Sequence, residues 1–214
     1  MSASSPATDG ILAPAKINLN LKIVGRREDG YHLLDSIIVF TAFGDRILVQ
    51  PSPQDSITID GPFGDMLNEP PSENICAKAL TMFRLAGGRI GPLAIHIRKD
   101  IPVGAGLGGG SSNAAALLGW LQENADGAVP DVSLSEIALS LGADVPACLA
   151  GRALQMTGIG ETITLMSTAP HGRILLASPR VFMPTKTIFT ALAQSDFAIG
   201  EGANAVSQSS AGSV

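Results

Sequence analysis

Residues 101–116 read I-P-V-G-A-G-L-G-G-G-S-S-N-A-A-A, and the reading of the whole chain turns on this stretch. Five of the seven residues from Gly104 to Gly110 are glycine. Lacking Cβ atoms, they leave the backbone N–H groups open to close approach by a ligand. The Ala- and Leu-rich run that follows predicts a helix to about Leu121. Its N-terminal donors and positive dipole end point into the same space. Ser111 and Ser112 add hydroxyls suited to a phosphate oxygen or a magnesium-bound water. The loop is built for an anion, above all a polyphosphate.

Three known loop patterns compete for it. Gly104-x-Gly106-x-x-Gly109 formally matches the dinucleotide fingerprint, which requires a βαβ unit and an acidic residue ending a strand about 20 positions later. The corresponding region here is the loop ENADGAVPD. A Walker A loop needs Gly-Lys-Ser/Thr, and residues 101–116 contain no lysine. A protein-kinase glycine loop needs a valine where Ser111 stands. The remaining alternative is a glycine-rich junction between strand and helix that binds nothing.

Outward from the loop, the composition narrows the classes. Glycine supplies 24 of the 214 residues, about 11% against a usual ~7%. Charged residues make up 15% and hydrophobic ones 45%, yet no stretch approaches the ~18 apolar residues of a spanning helix. The start, MSASSPATDG, has neither the basic nor the apolar region of a secretory signal. Lys and Arg total 14 against 19 Asp and Glu, a net charge of −5, which argues against a nucleic-acid partner. Cys76 and Cys148 build no disulfide framework and stand in no metal-ligand spacing, so a cytoplasmic setting and no protein-held metal are expected.

Alternation of Ile17, Leu19, Leu21 and Ile23 with Lys16, Asn18, Asn20 and Lys22 predicts a strand over 13–24, apolar face inward and lysines outward. Further strands are expected over His32–Phe40, Asp45–Gln50, Ser56–Asp60, Leu93–Arg98 and Arg173–Ser178. Asn74 is placed to cap a helix from Ile75 to about Leu85, closed by Gly87-Gly88. Ser133-Leu134-Ser135-Glu136 reads as a capping box opening a helix that stops at Gly142, and Thr185–Ala193 fits another helix. Strands and helices occur without βα alternation, so the fold class is α+β.

With these elements placed, P-V-G-A-G-L-G-G-G-S-S-N-A-A-A resembles the second motif of the GHMP small-molecule kinases. PAKINLNLKIVGRREDGYH (residues 14–32) and GADVPACLAGRALQMTGIGE (residues 142–161) extend the resemblance in the right order, from about Leu12 to Phe189. It implies a GHMP kinase fold: a ribosomal-S5-like N-terminal lobe that holds ATP, and a ferredoxin-like C-terminal lobe. It further implies ATP with Mg2+ as cofactors and phosphorylation of the 2-hydroxyl of a cytidine diphosphate-linked methylerythritol, in the non-mevalonate route to isoprenoids. Another GHMP kinase, such as homoserine or mevalonate kinase, and a remnant that only binds nucleotide are the alternatives.

By the same resemblance the paired catalytic residues fall on Lys16 and Asp144, with Asp144 taking the hydroxyl proton and Lys16 stabilising charge. An exposed edge lysine and a turn-capping aspartate are the plainer readings of the two. Pro102, Val103, Gly104, Ala105, Gly106, Leu107, Gly108, Gly109, Gly110, Ser111 and Ser112 would hold the nucleotide phosphates. Asn74 matches an asparagine near the adenine, besides its reading as a helix cap. Asn18 would face the methylerythritol end, Tyr31 would stack on cytosine and His32 would bond its edge. Thr185 and Phe189 would meet the cytidine, or else form a helix turn with one core phenylalanine. His96 and His171 match nothing and read as structural or surface residues.

The expected division is a leader at 1–10, the ATP-binding lobe at 11–151, a partial second lobe at 152–194 and a low-complexity tail at 195–214. A third glycine-rich motif of the family is absent. The resemblance therefore implies an incomplete second lobe, a loop that still forms, and impaired stability and catalysis.

Overall fold

The computed structural model describes residues 10–178 except 30, 68, 69, 128 and 171, together with 188 and 191. The expected leader, the helix over Thr185–Ala193 with Thr185 and Phe189, the tail and His171 lie outside the described residues, save Gly10, Ile188 and Ala191.

Seven strands form one mixed sheet. They are β1 (Ile11–Asn18), β2 (Lys22–Arg26), β3 (His32–Pro51), β4 (Ser56–Asp60), β5 (Leu93–Arg98), β6 (Leu154–Gly158) and β7 (Thr162–Leu165). The order is β4-β5-β3-β6-β7, and β1 and β2 also pair with β3. Only β4 and β5 run parallel. Four helices accompany the sheet: α1 (Ile75–Leu85), α2 (Gly109–Asn124), α3 (Asp131–Leu141) and α4 (Val145–Ala150). This is the α+β class expected.

β5 shows why a local pattern suffices in places. Leu93, Ile95 and Ile97 are buried against the helices while the alternate residues face away. They join Ile47 of β3, Leu80 and Phe83 of α1, Leu117, Leu118 and Leu121 of α2, and Ile137 of α3 in the main core. α1 begins where Asn74 predicts, the Asn74 Oδ1 accepting from the Cys76 N–H at 2.9 Å. Ile38, Ala147, Leu154 and Met156 form a smaller cluster under the β3–β6 pair.

Several expectations are corrected. The strand over 13–24 is two strands, because the chain leaves the ladder at Leu19–Leu21. Within β1 the register slips: Pro14 faces Gly44, but Lys16 faces Phe40. The extra residues bulge out of β3 at Thr41–Phe43, where the Thr41 hydroxyl donates to the Phe43 carbonyl at 2.6 Å. The bulge resets the alternation, so Ala15 and Lys16 are buried in succession while Leu19 and Leu21 are exposed. Lys16 thus turns inward and Leu19 and Leu21 outward, while Lys22 stays exposed and Ile17 and Ile23 half-buried, as expected.

The strands expected at His32–Phe40 and Asp45–Gln50 are one continuous β3. α3 opens at Asp131 after Pro130, with no side-chain cap, so Ser133 and Glu136 lie inside the helix. Arg173–Ser178 is not a strand, and Leu175 is 94% exposed. An apolar run becomes a strand only when a neighbour takes up its N–H and C=O groups, and no described strand pairs with it. After α4 ends at Gly151 the chain rejoins the same sheet, Ile37 of β3 facing Gln155 of β6.

Candidate active site

The loop between β5 and α2 carries the φ values its glycines permit: +72° at Gly104, +72° at Gly106 and +65° at Gly108. Gly108 is the N-cap of α2 and lacks a side chain to bond its first N–H groups. Helix starts of this kind leave backbone donors and the positive dipole end facing an anion. The helix begins at Gly109, so Gly109, Gly110, Ser111 and Ser112 form its first turn rather than part of the loop. Ser112 is buried, its hydroxyl donating to the Pro14 carbonyl at 2.7 Å and its N–H to Gly108 O at 2.8 Å. It ties α2 to β1, whereas Ser111 is partly exposed.

Lys16 lies directly beneath the loop. Its N–H donates to the Leu107 carbonyl at 2.9 Å, and a Cβ at Gly108 would stand 3.1 Å from its Cβ and Cε. A side chain there would be strained by the φ of +65° and would press on the Lys16 stem. The Lys16 Nζ donates to Asn18 Oδ1 at 2.9 Å and lies 3.2 Å from Asp144 Oδ1. Asn18 Nδ2 in turn donates to the buried Ser36 hydroxyl at 2.7 Å, which donates to the Asn20 carbonyl at 2.6 Å. This chain fixes which way the Asn18 amide faces and presents its oxygen to the lysine.

Lys16 is 4% exposed, so it is not an edge lysine in solvent. Asp144 is the N-cap of α4 by position, yet its side chain makes no capping bond and pairs with Lys16 instead. Its side chain remains 38% exposed. The Cys148 thiol lies near this pair; burial pushes it up to about 12, the Asp144 carboxylate adds to the rise and Lys16 opposes it. A thiol held protonated there is inert, and the two described cysteines are buried and free.

The remaining residues are placed as follows. Asn74 caps α1, and a Cβ at Gly110 would stand 4.0 Å from Ile75 Cγ2, so the α1 start adjoins the far end of the loop. Tyr31 is 61% exposed beside the β2–β3 hairpin, and His32 opposes Arg26 in that ladder. They stand apart from Lys16, whose partner Phe40 is eight residues further along β3, about 26 Å of strand. The structure therefore gathers Lys16, Asn18, Asp144 and the loop into one site, and leaves Tyr31 and His32 at a separate station on the same strand. His96 lies on β5, its ring nitrogens near Thr58 Oγ1 at 2.9 Å and Asp60 Oδ2 at 3.3 Å.

One group at the site escaped the sequence reading. Lys99 and Asp45 form a buried ion pair, and Asn113 bonds both, accepting from Lys99 Nζ at 2.9 Å and donating to Asp45 Oδ2 at 2.9 Å. A lone acid inside an apolar strand and a lysine just before the loop were the available signals. Among the described residues, no group of three or more His, Cys, Asp or Glu side chains is placed to hold a metal ion, and no helix is long and apolar enough to cross a membrane.

Comparison with known proteins agrees with this geometry. Residues 74–152 match the GHMP kinases N terminal domain. The 4-diphosphocytidyl-2-C-methyl-D-erythritol kinase of Agrobacterium fabrum is 44% identical over 88% of this chain and 65% of its own length. The enzyme of the same name from a Chelativorans species is 42% identical over 86% of this chain and 62% of its own. A crystal structure of 4-(cytidine 5'-diphospho)-2C-methyl-D-erythritol kinase superposes with a TM-score of 0.62 at 36% identity, covering 86% of this chain and 70% of that one. The chain thus spans between 60% and 65% of the length of the curated relatives it matches. On sequence and fold together, the chain belongs to the 4-diphosphocytidyl-2-C-methyl-D-erythritol kinase family of the GHMP kinases.

Proposed function

We propose that the chain carries the ATP-dependent phosphorylation of the 2-hydroxyl of 4-diphosphocytidyl-2-C-methyl-D-erythritol, a step of isoprenoid biosynthesis. The observation that carries this reading is the Lys16–Asp144 pair lying under the uncapped N-terminus of α2. ATP supplies the γ-phosphoryl group, and Mg2+ would arrive with the triphosphate rather than in a site of the protein's own. Residues 102–108 wrap the phosphates with backbone donors, and the first turn of α2, with the Ser111 hydroxyl, completes the cradle. Asn74 and Ile75, beside Gly110, border the adenine.

Phosphoryl transfer asks the protein mainly for positioning and charge stabilisation. Asp144, half open to solvent, accepts the proton of the acceptor hydroxyl. Lys16 pairs with the carboxylate and orients it, held in turn by Asn18 and Ser36. Tyr31 offers an exposed aromatic face to the cytosine, with His32 at its edge; Thr185 and Phe189 are assigned to the same cytidine by resemblance alone. A cytoplasmic setting fits the two free, buried cysteines.

Transfer of labelled γ-phosphate from ATP to the cytidine substrate tests the reading. Asp144→Asn should lower kcat by about 10²–10⁴-fold, the range for a positioned general base, with ATP affinity unchanged. An undiminished kcat would remove Asp144 from the role.

A further inference from the structure

The loop contains no lysine, yet two lysines lie under adjacent glycines of it. Lys16 lies under Gly108, and a Cβ at Gly109 would stand 3.2 Å from Lys99 Nζ. Lys99 is as deeply buried as Lys16, but its surroundings differ. Asp45 Oδ2 accepts from Lys99 Nζ and from Asn113 Nδ2, while Asp45 Oδ1 accepts from the N–H groups of Asp100 and Ile101, each at 2.8 Å. Four donors fill the lone-pair sites of this carboxylate. Those donors come from both ends of the loop: Lys99, Asp100 and Ile101 enter it, and Asn113 lies one turn into the helix that leaves it.

We infer that Lys99, Asp45 and Asn113 are positioning residues that clamp the two ends of the glycine loop and so set the spacing of its anion-binding N–H groups. The clamp is anchored outside the loop as well. Asp45 belongs to β3, the Lys99 N–H donates to the Asp60 carbonyl at 2.9 Å, and the Lys99 carbonyl accepts from Phe63 at 3.2 Å. With its ammonium held by Asp45 and Asn113, Lys99 serves the phosphates through the backbone it fixes, unlike the phosphate-binding lysine of a Walker A loop. A flexible glycine loop needs such a device, because each glycine that permits its shape also permits many others. The inference rests on the nucleotide reading given above.

The test is calorimetric titration of the full chain with two probes, inorganic triphosphate and adenosine. Wild-type protein should bind both. Asn113→Ala, which places a good helix former inside α2, should bind triphosphate about 10-fold more weakly, and Lys99→Met/Asp45→Leu about 100-fold more weakly, the scale of loss from misplacing a binding group by about 1 Å. Both variants should bind adenosine within twofold of wild type. Equal losses for the two probes would indicate general destabilisation and overturn the inference, as would wild-type triphosphate affinity in either folded variant. Should the double variant fail to fold, Asn113→Ala decides alone. Wild-type protein that binds adenosine but no triphosphate would overturn the phosphate-loop reading, and the clamp with it; this outcome is distinct from an unaltered variant.

Discussion

Two lysine–aspartate pairs lie on either side of the glycine loop, and their lysines are equally buried, at 4% exposure each. Their acids are not. Asp45 is fully buried with four donors on its two oxygens, whereas the Asp144 side chain is 38% exposed and pairs with Lys16. A carboxylate whose lone pairs are all taken holds structure together but has no room for a proton from elsewhere. One that stays partly exposed beside its lysine, as Asp144 does, keeps room for a substrate hydroxyl. In the proposed reading the same pair of residue types serves as clamp on one side and as chemistry on the other, and the exposure of the acid distinguishes them.

The strongest way to break this comparison is to remove each lysine while keeping its stem. Lys99→Met leaves Asp45 charged in the core and should destabilise the protein by about 3–5 kcal/mol. Lys16→Met leaves Asp144 able to hydrate and should cost about 1 kcal/mol or less. Equal losses in thermal or denaturant unfolding would show that the two acids are not different in kind.

Cys148 sharpens the comparison from below. Its thiol is pushed up to about 12 from an ordinary 9.0, so the unfolded chain releases its proton first. This contribution to stability is complete below pH 9 and falls as pH rises toward 12, by about 1.4 kcal/mol per unit. Alkylation of native protein should stay slow through that window. In Asp144→Asn the thiol should ionise at lower pH, because a charge that raises it is gone; an unmoved profile would place Asp144 away from it.

The narrowest contrast is between two glycines of the loop. Gly106→Ala meets open space, and its φ of +72° alone should cost about 1–2 kcal/mol. Gly108→Ala adds contact with the Lys16 stem at 3.1 Å, so it should cost more and also lower kcat. Parallel unfolding curves for the two would argue against Lys16 lying beneath the loop.

What the sequence disclosed follows from how local each signal is. Asn74 caps a helix within its own turn, and β5 alternates against a single buried layer, so both were legible. The glycine loop announced its own φ values. Lys16 was placed on the correct strand but the wrong side, because its burial depends on a bulge in β3 that only pairing with β1 creates. The Lys99–Asp45 pair joins positions 54 residues apart, and although each residue stands out in its own segment, nothing local says that the two meet. Arg173–Ser178 misled for the opposite reason: it is apolar, but no described strand receives it. β6 and β7 went unread although Leu154-Gln155-Met156-Thr157 and Thr162-Ile163-Thr164-Leu165 alternate, because each alternating run is only four residues long.

The 20-residue β3 also bears on how the molecule is made. Between Leu34 and Ile38 it is flanked by β1 and β2 on one side and by β6 on the other. On a ribosome, that second flank remains a bare edge, a template for wrong pairing, until Leu154–Gly158 has emerged. Asp144 emerges just ahead of that closing strand. A nascent chain thus acquires Asp144 and covers this edge of β3 within one short stretch of synthesis, so no long-lived state should carry the Lys16–Asp144 pair on an unfinished sheet.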